Sequence, residues 1–318
     1  MPMKTLRAAV IGAGRLGRHH AAKYAESPDL ELVAVADLSE PAAREVAARF
    51  GCRAERDFRA VLEGVDLVSI AVPTERHLEV ARACLEAGVH VLVEKPIART
   101  IEEADALIAL AAARGLRLAV GHVERYNPAF AALRQALTRP VFIESERLAE
   151  FQPRVTDIDV VLDLMIHDID LALSLAHAEV AQVIASGFKV ITDSIDIATA
   201  HIEFADGTVA NLSASRVSQV PVRKLRAFGS NGYASADLHA ARLKEAHRGE
   251  GAAIKVDERA FPDPDALRAE IAAFAAAVRG ESAEIVTGTE GRRALAIALE
   301  INARIAERLA RIAAHAPG

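Results

Sequence analysis

Apolar residues fall in short runs along the first part of the chain and at alternating positions along much of the rest. The runs Leu6-Arg-Ala-Ala-Val-Ile-Gly12, Leu32-Val-Ala-Val-Ala-Asp37, Asp66-Leu-Val-Ser-Ile-Ala-Val72, His90-Val-Leu-Val-Glu94 and Leu116-Arg-Leu-Ala-Val120 each read as a buried strand. Helical stretches separate them, at 19–27, 40–50, 58–63, 76–87 and 100–114. Strands alternating with helices of this length predict a parallel, doubly wound sheet covered on both faces. After a helix near 128–137 the character changes at Arg139-Pro140. Val141 to Phe151 alternates like a half-exposed strand, and further strands follow at 180–191, 196–204, 208–216, 224–229 and 233–240. Ala205-Asp206-Gly207-Thr208 is a good hairpin turn. These segments predict an open, mainly antiparallel sheet with a helical face, and two helices, 265–279 and 289–311, close the chain. The expected organisation is α/β in residues 1–139 and α+β in residues 140–318, with the last helix able to pack back on the first domain.

The first strand runs into Gly12-Ala13-Gly14-Arg15-Leu16-Gly17 and then a helix. The first glycine permits a tight turn, the second lets the backbone approach a pyrophosphate, and the third packs helix on strand. Amides at the helix N-terminus then face the phosphates. This is the context a Rossmann dinucleotide site requires. Asp37 ends the second strand, twenty residues past Gly17, where its carboxylate accepts hydrogen bonds from the adenosine ribose and repels a 2′-phosphate. Leu38 and Ser39 supply no Arg to hold such a phosphate, so NAD is expected rather than NADP. Ligands bind at the carboxyl ends of doubly wound strands. Those ends carry Gly12, Asp37, Val72-Pro73-Thr74, Glu94-Lys95-Pro96 and Gly121-His122.

In the second half, Asp159, Asp163 and His167 recur every four residues, so on a helix they stack along one face. Either the polar pair has chemical work to do, or it is a hydrogen-bonded Asp–His pair in a core. His19 and His20, early in the first helix, read as surface or packing residues.

Composition narrows the setting. Hydrophobic residues make up 52% and charged residues 26%, enough for a substantial core, and a net charge of −6 gives no case for nucleic acid or an anionic membrane. No uninterrupted apolar segment approaches a membrane span. Cys52 and Cys84 form no disulfide framework or CxxC pair. With no signal-peptide layout at the start, a cytoplasmic chain is expected.

Taken together, Gly12-Ala-Gly14-Arg-Leu-Gly17, Glu94-Lys95-Pro96 and Asp163-Leu-Met-Ile-His167, in this order, resemble the Gfo/Idh/MocA family of NAD(P)-dependent sugar and cyclitol oxidoreductases over essentially the whole chain. Val72-Pro73-Thr74 with His77, and His122 followed by Arg125-Tyr126-Asn-Pro128, look like family segments that line the cofactor. Many relatives carry a glycine cluster before the Asp, where this chain has Asp157-Ile-Asp159-Val-Val-Leu. With Gly121-His-Val-Glu-Arg-Tyr-Asn-Pro128 and Asn211-Leu-Ser-Ala-Ser-Arg216, that variant is similar to the UDP-N-acetylglucosamine 3-dehydrogenases, which oxidise the sugar C3 hydroxyl so that an aminotransferase can install an amine for lipid A.

The resemblance implies oxidation of a secondary alcohol. His167 is the expected general base, because imidazole takes a proton near neutral pH. Asp163 would orient a neighbouring hydroxyl or fix the His167 tautomer, and Lys95 would stabilise alkoxide charge, relay the proton or itself be the base. Gly12, Ala13, Gly14, Arg15, Leu16, Gly17, Asp37, Pro73, Thr74, His77, Glu94, Lys95 and His122 are the expected cofactor residues. Lys95, Arg125, Tyr126, Asp163, His167 and Arg216 are the expected substrate residues, with Arg216, Arg223, Lys224 and Arg226 as candidates for a diphosphate grip. Asp159, Asp163, His167 and Asp170 also offer a metal donor set, but hydride transfer needs no Lewis acid and no metal is expected. The expected partners are a nucleotide sugar, a downstream aminotransferase and further copies of the chain, as a dimer or tetramer through the C-terminal sheet. Alternatives are a free-sugar or inositol dehydrogenase and a non-catalytic NAD sensor.

Overall fold

Six short segments pair side by side in the computed structural model, which describes residues 5–152, 158–230, 232–249, 253–262 and 264–315. They are β1 (Leu6–Ile11), β2 (Leu30–Ala36), β3 (Arg53–Glu55), β4 (Leu67–Ile70), β5 (His90–Glu94) and β6 (Leu118–Gly121). Their order is β3-β2-β1-β4-β5-β6, and every neighbouring pair is parallel. Connecting helices are α1 (Arg15–Glu26), α2 (Glu40–Phe50), α3 (His77–Glu86) and α4 (Ile101–Arg114). Helices on both faces demand strands that are apolar on both sides, and β4 and β6 are buried at every position. The strand order reverses between β1 and β4, the switch point at which doubly wound sheets open a crevice. β3 goes beyond the sequence expectation, because three residues reading Arg-Ala-Glu carry no apolar pattern.

Late in the chain, α7 (Ala266–Val278) returns to this sheet. Ile271, Phe274 and Ala275 pack with Ala21 and Tyr24 of α1 in one core, and ion pairs Lys23–Asp265 and Arg268–Glu26 flank the contact.

Eight strands build the second sheet: β7 (Pro140–Leu148), β8 (Val180–Phe188), β9 (Ile197–Phe204), β10 (Val209–Ser215), β11 (Val222–Gly229), β12 (Gly232–Asp237), β13 (Arg242–Arg248) and β14 (Ile254–Ala260). Their order is β14-β13-β12-β11-β7-β10-β9-β8, antiparallel except for the pair β7 and β10. Side chains alternate across it as a half-buried sheet requires. Ile143, Leu212, Leu225, Ala227 and Ala236 join Phe130 and Leu133 of α5 (Pro128–Ala136), Ile166 and Ile169 of α6 (Ile166–Leu175), and Ala298, Ile301 and Ile305 of α8 (Gly288–His315) in one core. On the opposite face, His201 bonds Asn211 and Arg226 bonds Glu144 across strands. β13 and β14 were not expected from sequence. β13 is largely charged, and β14 alternates only over Ile254-Lys255-Val256-Asp257 before turning polar, so neither carries a full apolar face.

Contacts divide the chain into Met1–Val123 with Asp265–Arg292, and Glu124–Pro264 with Arg293–Gly318. The two sheets fall on either side of Arg139. However, α5 belongs with the second sheet because Ala129, Phe130 and Leu133 lie in its core, while α7 and the first residues of α8 belong with the first. No helix among the described residues is long and apolar enough to cross a membrane.

The loop between β8 and β9 is closed around a buried carboxylate. Asp196 Oδ2 accepts the amides of Val190 (2.8 Å), Ile191 (2.7 Å) and Thr192 (2.9 Å), and Oδ1 accepts the Thr192 hydroxyl (2.7 Å). Burial works against the charge, but the Thr192 amide and hydroxyl and the amides of Ile191 and Val190 outweigh it and hold the carboxyl far below its ordinary range. A folded-state pKa below the unfolded value of about 3.9 gives stability that is complete above that pH and lost as pH falls towards the folded value. Urea unfolding of Asp196→Asn should therefore show a shallower decline in stability below about pH 4 than the parent chain. An unchanged acid limb would remove Asp196 from that role.

Candidate active site

β1 ends in a turn that only glycine can make. Gly12 has φ +104°, and a Cβ there would lie 2.4 Å from the Ala71 carbonyl oxygen. A Cβ on Gly17 would stand 1.7 Å from the Gly12 carbonyl oxygen, so that glycine sets how closely α1 packs on the turn. Gly14, at the N-cap of α1, has open space where its Cβ would be. The first amides of the helix have no intrahelical acceptors and face that space. Arg15 and Leu16 are exposed beside it, while Ala13 is buried. Asp37 is clamped at the end of β2: Oδ2 accepts the Ala13 amide at 2.6 Å and Oδ1 the Ser39 amide at 2.8 Å. The carboxylate is thereby aimed from the edge of the glycine turn. This cradle fits a dinucleotide, with the helix N-terminus for the pyrophosphate and Asp37 for the ribose.

Beside it the tertiary structure brings in side chains that sequence reading did not connect. Leu38, Arg56, Asp57, Phe58, Arg59 and Arg76 line an open hollow of about 300 Å³. Arg59 lies over the Phe58 ring and pairs with Glu79 (3.3 Å), to which Arg76 also bonds (3.0 Å). The absence of Arg at positions 38 and 39 thus does not empty the neighbourhood of arginines, but Glu79 and Asp57 balance them.

At the end of β5, Glu94 and Lys95 are partly buried and Pro96 follows a cis peptide bond. His77 is 1% exposed, with Nδ1 2.8 Å from the Pro96 carbonyl and Nε2 3.0 Å from the Val72 carbonyl. It ties the loop after β4 to the loop after β5. Burial pushes its pKa down, against the two carbonyls and Glu94, which favour the charged form. Pro73 is exposed and Thr74 half-buried at the start of a short 3₁₀ turn, Thr74–Arg76, where both can line a ligand. His122 is buried, and its amide donates to the Val120 carbonyl. Of the two histidines read as surface or packing residues, His19 is exposed, while His20 is 1% exposed and bonds both Ser69 and Glu94 at 2.9 Å.

In the second unit, the Asp/His segment is a single π-helical turn, Val161–Met165, running into α6. Wide turns of this kind recur at functional sites. Asp159 starts it: Oδ1 accepts the amides of Val161 (2.9 Å) and Leu162 (3.0 Å), and Oδ2 accepts the Asn302 amide of α8 (3.0 Å). Asp163 lies within the wide turn and His167 in the first turn of α6, both half-buried. Asp157 lies outside the described residues.

What holds α6 is a set of buried carboxylate–guanidinium pairs. Arg147 on β7 grips Asp168 with two bonds (2.7 and 3.1 Å) and reaches Glu124 with a third (3.0 Å). Arg125 grips Asp170 with two (2.7 and 3.0 Å). Bidentate pairs fix orientation as well as distance, so α6 presents His167 from a fixed helix. Arg125 is thus half of a helix anchor, where a substrate contact had been expected. Asp170 is committed to the same pair, which removes it from any metal donor set. Arg216 also departs from a diphosphate grip: it is 4% exposed, donates to the Ile158 and Ile195 carbonyls, and stands 3.8 Å from Asp196. Tyr126 is half-buried at the end of the 3₁₀ turn Val123–Tyr126.

Residues 6–122 match the model of an oxidoreductase family with an NAD-binding Rossmann fold, and residues 141–235 match the C-terminal domain of the same family. The chain is 45% identical to UDP-N-acetylglucosamine 3-dehydrogenase of Acidithiobacillus ferrooxidans over 306 residues, 94% of this chain and 97% of the relative. A solved structure of that protein superposes with a TM-score of 0.90 at 45% identity, covering 95% of this chain and 98% of the other. Inositol 2-dehydrogenase of Rhizobium meliloti is 29% identical over 314 residues, 92% of this chain and 95% of the relative. The glycine cradle, the Asp37 clamp and these matches agree: the chain belongs to the Gfo/Idh/MocA family of NAD-binding oxidoreductases.

Proposed function

We propose that this chain oxidises the C3 hydroxyl of UDP-N-acetylglucosamine to the ketone, with NAD as hydride acceptor. The observation that carries the reading is the 45% identity to a UDP-N-acetylglucosamine 3-dehydrogenase over 94% of the chain. The local chemistry supports it. NAD, held by the glycine cradle and Asp37, would supply the hydride acceptor for the carbon that bears the hydroxyl. His167 removes the hydroxyl proton, Asp163 holds a neighbouring hydroxyl, and the Lys95 ammonium stabilises charge on the oxygen. Asp37 receives the adenosine ribose and disfavours a 2′-phosphate. Gly14 leaves room for the pyrophosphate, Gly12 and Gly17 permit the tight turn and the close helix packing behind it, and His77 and His122 support the loops around it. Tyr126 stays in the proposed substrate set. Arg125 and Arg216 act through the backbone and helix they hold. The apolar side chains exposed along β8 and its following loop, Ile184, Phe188, Val190 and Ile191, support a homo-oligomer. The ketone product supports an aminotransferase as the next enzyme.

The test is NADH formation from UDP-N-acetylglucosamine, with an aminotransferase and amino donor present to draw off ketone. Myo-inositol and free N-acetylglucosamine serve as competing substrates, the first because of the inositol 2-dehydrogenase relative. Turnover of the nucleotide sugar alone is the expected result. Turnover only of the cyclitol or free sugar would overturn the substrate, and NAD binding with no turnover on any of them would favour a sensor. In the same assay, Asp37→Ala should lower kcat/KM for NAD about 10- to 100-fold, the worth of hydrogen bonds to a charged acceptor, and narrow the preference over NADP.

A further inference from the structure

The wide turn that carries Asp163 is tied at its start to the last helix of the chain. Asp159 is the last residue before the helical run, which begins at Val160. Its Oδ1 accepts the amides of Val161 (2.9 Å) and Leu162 (3.0 Å), and its carbonyl accepts the Asp163 amide (3.0 Å). That is the bonding of an N-cap, whose side chain supplies an acceptor to amides that have none within the helix. The second oxygen, Oδ2, accepts the side-chain amide of Asn302 on α8 (3.0 Å). One half-buried carboxylate thus joins segments 143 residues apart.

Both sides of this joint are held. The Val160 amide donates to the Ile195 carbonyl (2.9 Å), and the Arg216 guanidinium donates to the Ile158 carbonyl. Ile301 and Ile305, on either side of Asn302, seat α8 in the core of the second sheet. At the far end of the turn, the Ile166 amide donates to the Val161 carbonyl five residues back. That bond makes the turn wider than an α-helical one. Asp163 lies inside the widened stretch and His167 just past it. Where the widening starts and stops therefore sets the direction of one side chain relative to the other.

We infer that Asn302 is a positioning residue for Asp163 and His167: by holding the Asp159 carboxylate it fixes where the helical run starts, and so which residues the wide turn takes in. The consequence for turnover rests on the roles given above to Asp163 and His167. The tie to the wide turn does not. A base works only within hydrogen-bond reach of its proton, and a misplacement of about 1 Å, caused far from the chemistry, can cost about 100-fold.

The test is a double-mutant cycle between Asn302→Leu, which removes the donor, and Asp159→Ala, which removes the carboxylate. Native-state hydrogen exchange reads the tie with no substrate present. In Asn302→Leu the Ile166 amide should exchange about 10-fold faster or more, while Ala172 and Leu173, further along α6, keep the parent rate. On whichever sugar or cyclitol the parent turns over, kcat should fall about 10- to 100-fold, with the Kd for NADH unchanged. Adding Asn302→Leu to Asp159→Ala should cost nothing further, because the joint is already broken. Asp159→Asn keeps an oxygen for the two amides, and Asn302 can turn its own carbonyl to the new amide, so this variant should stay close to the parent. Asn302→Ala gives a second route if the leucine variant does not fold. Unchanged exchange at Ile166 in the folded Asn302 variants would overturn the tie. Additive losses in the double variant, or faster exchange with parent kcat, would overturn the positioning role. Exchange needs no sugar, so a different substrate would leave its result standing.

Discussion

Replacing His167 with asparagine should lower kcat by about 10²- to 10⁴-fold, the usual contribution of a positioned general base. The position makes the variant informative. His167 is half-buried in the first turn of α6, while its neighbours Asp168 and Asp170 are buried and gripped by Arg147 and Arg125. Asparagine keeps the helix and its anchors, and the glycine cradle and Asp37 lie in the other unit, so binding of NADH should be unchanged. The pH profile divides the two candidate bases. If His167 takes the proton, the acidic limb of kcat disappears in His167→Asn and survives, at reduced height, in Lys95→Met. If the limb survives in His167→Asn and disappears in Lys95→Met, the roles are reversed.

Arg147→Leu should destabilise the protein by about 3–5 kcal/mol, the cost of removing one partner from a buried charge cluster. Arg147 is 3% exposed, with Asp168 at 2% and Glu124 at 7%. Burial alone would lower the pKa of the guanidinium, but Asp168 and then Glu124 outweigh it and raise the value. The leucine leaves two buried carboxylates without their shared cation, and Ser145 remains as a hydroxyl donor to Asp168 at 2.8 Å. The urea midpoint should fall with no change in slope. Adding Asp168→Asn to Arg147→Leu should recover part of the loss, because one stranded charge is removed. A double variant less stable than Arg147→Leu by the full cost of Asp168→Asn would mean that the two residues do not act as a unit. The same cluster links stability to chemistry: loosening α6 should lower kcat in Arg147→Leu even at temperatures where it stays folded.

The helical period of α1 also marks its buried face. The buried positions of α1 are Gly17, His20, Ala21 and Tyr24, spaced three, four and seven residues from the first. That is the stripe of an amphipathic helix, and it puts His20 and Tyr24 on the sheet side. A histidine on such a stripe needs a partner, and Ser69 and Glu94 supply it.

What the sequence determined by itself follows from short-range rules. Continuous apolar runs between helices mean strands buried on both faces, hence a parallel sheet. A glycine triplet between strand and helix means a backbone that must turn tightly and pack closely, and Asp37 falls where that geometry needs a carboxylate. The tertiary structure decided everything that depends on partners distant in sequence. Arg147 meets Asp168 across 21 residues, Arg125 meets Asp170 across 45, and Asp159 meets Asn302 across 143. Whether an arginine grips a substrate or a helix is set by which carboxylates and carbonyls the fold brings within reach, and Arg125 and Arg216 are held by residues that no local pattern selects. Strands β13 and β14 belong to the same class. Backbone pairing to a neighbour makes them strands: apart from the buried Leu243 of β13 their side chains are largely charged or exposed, so pairing leaves little mark on the residue pattern.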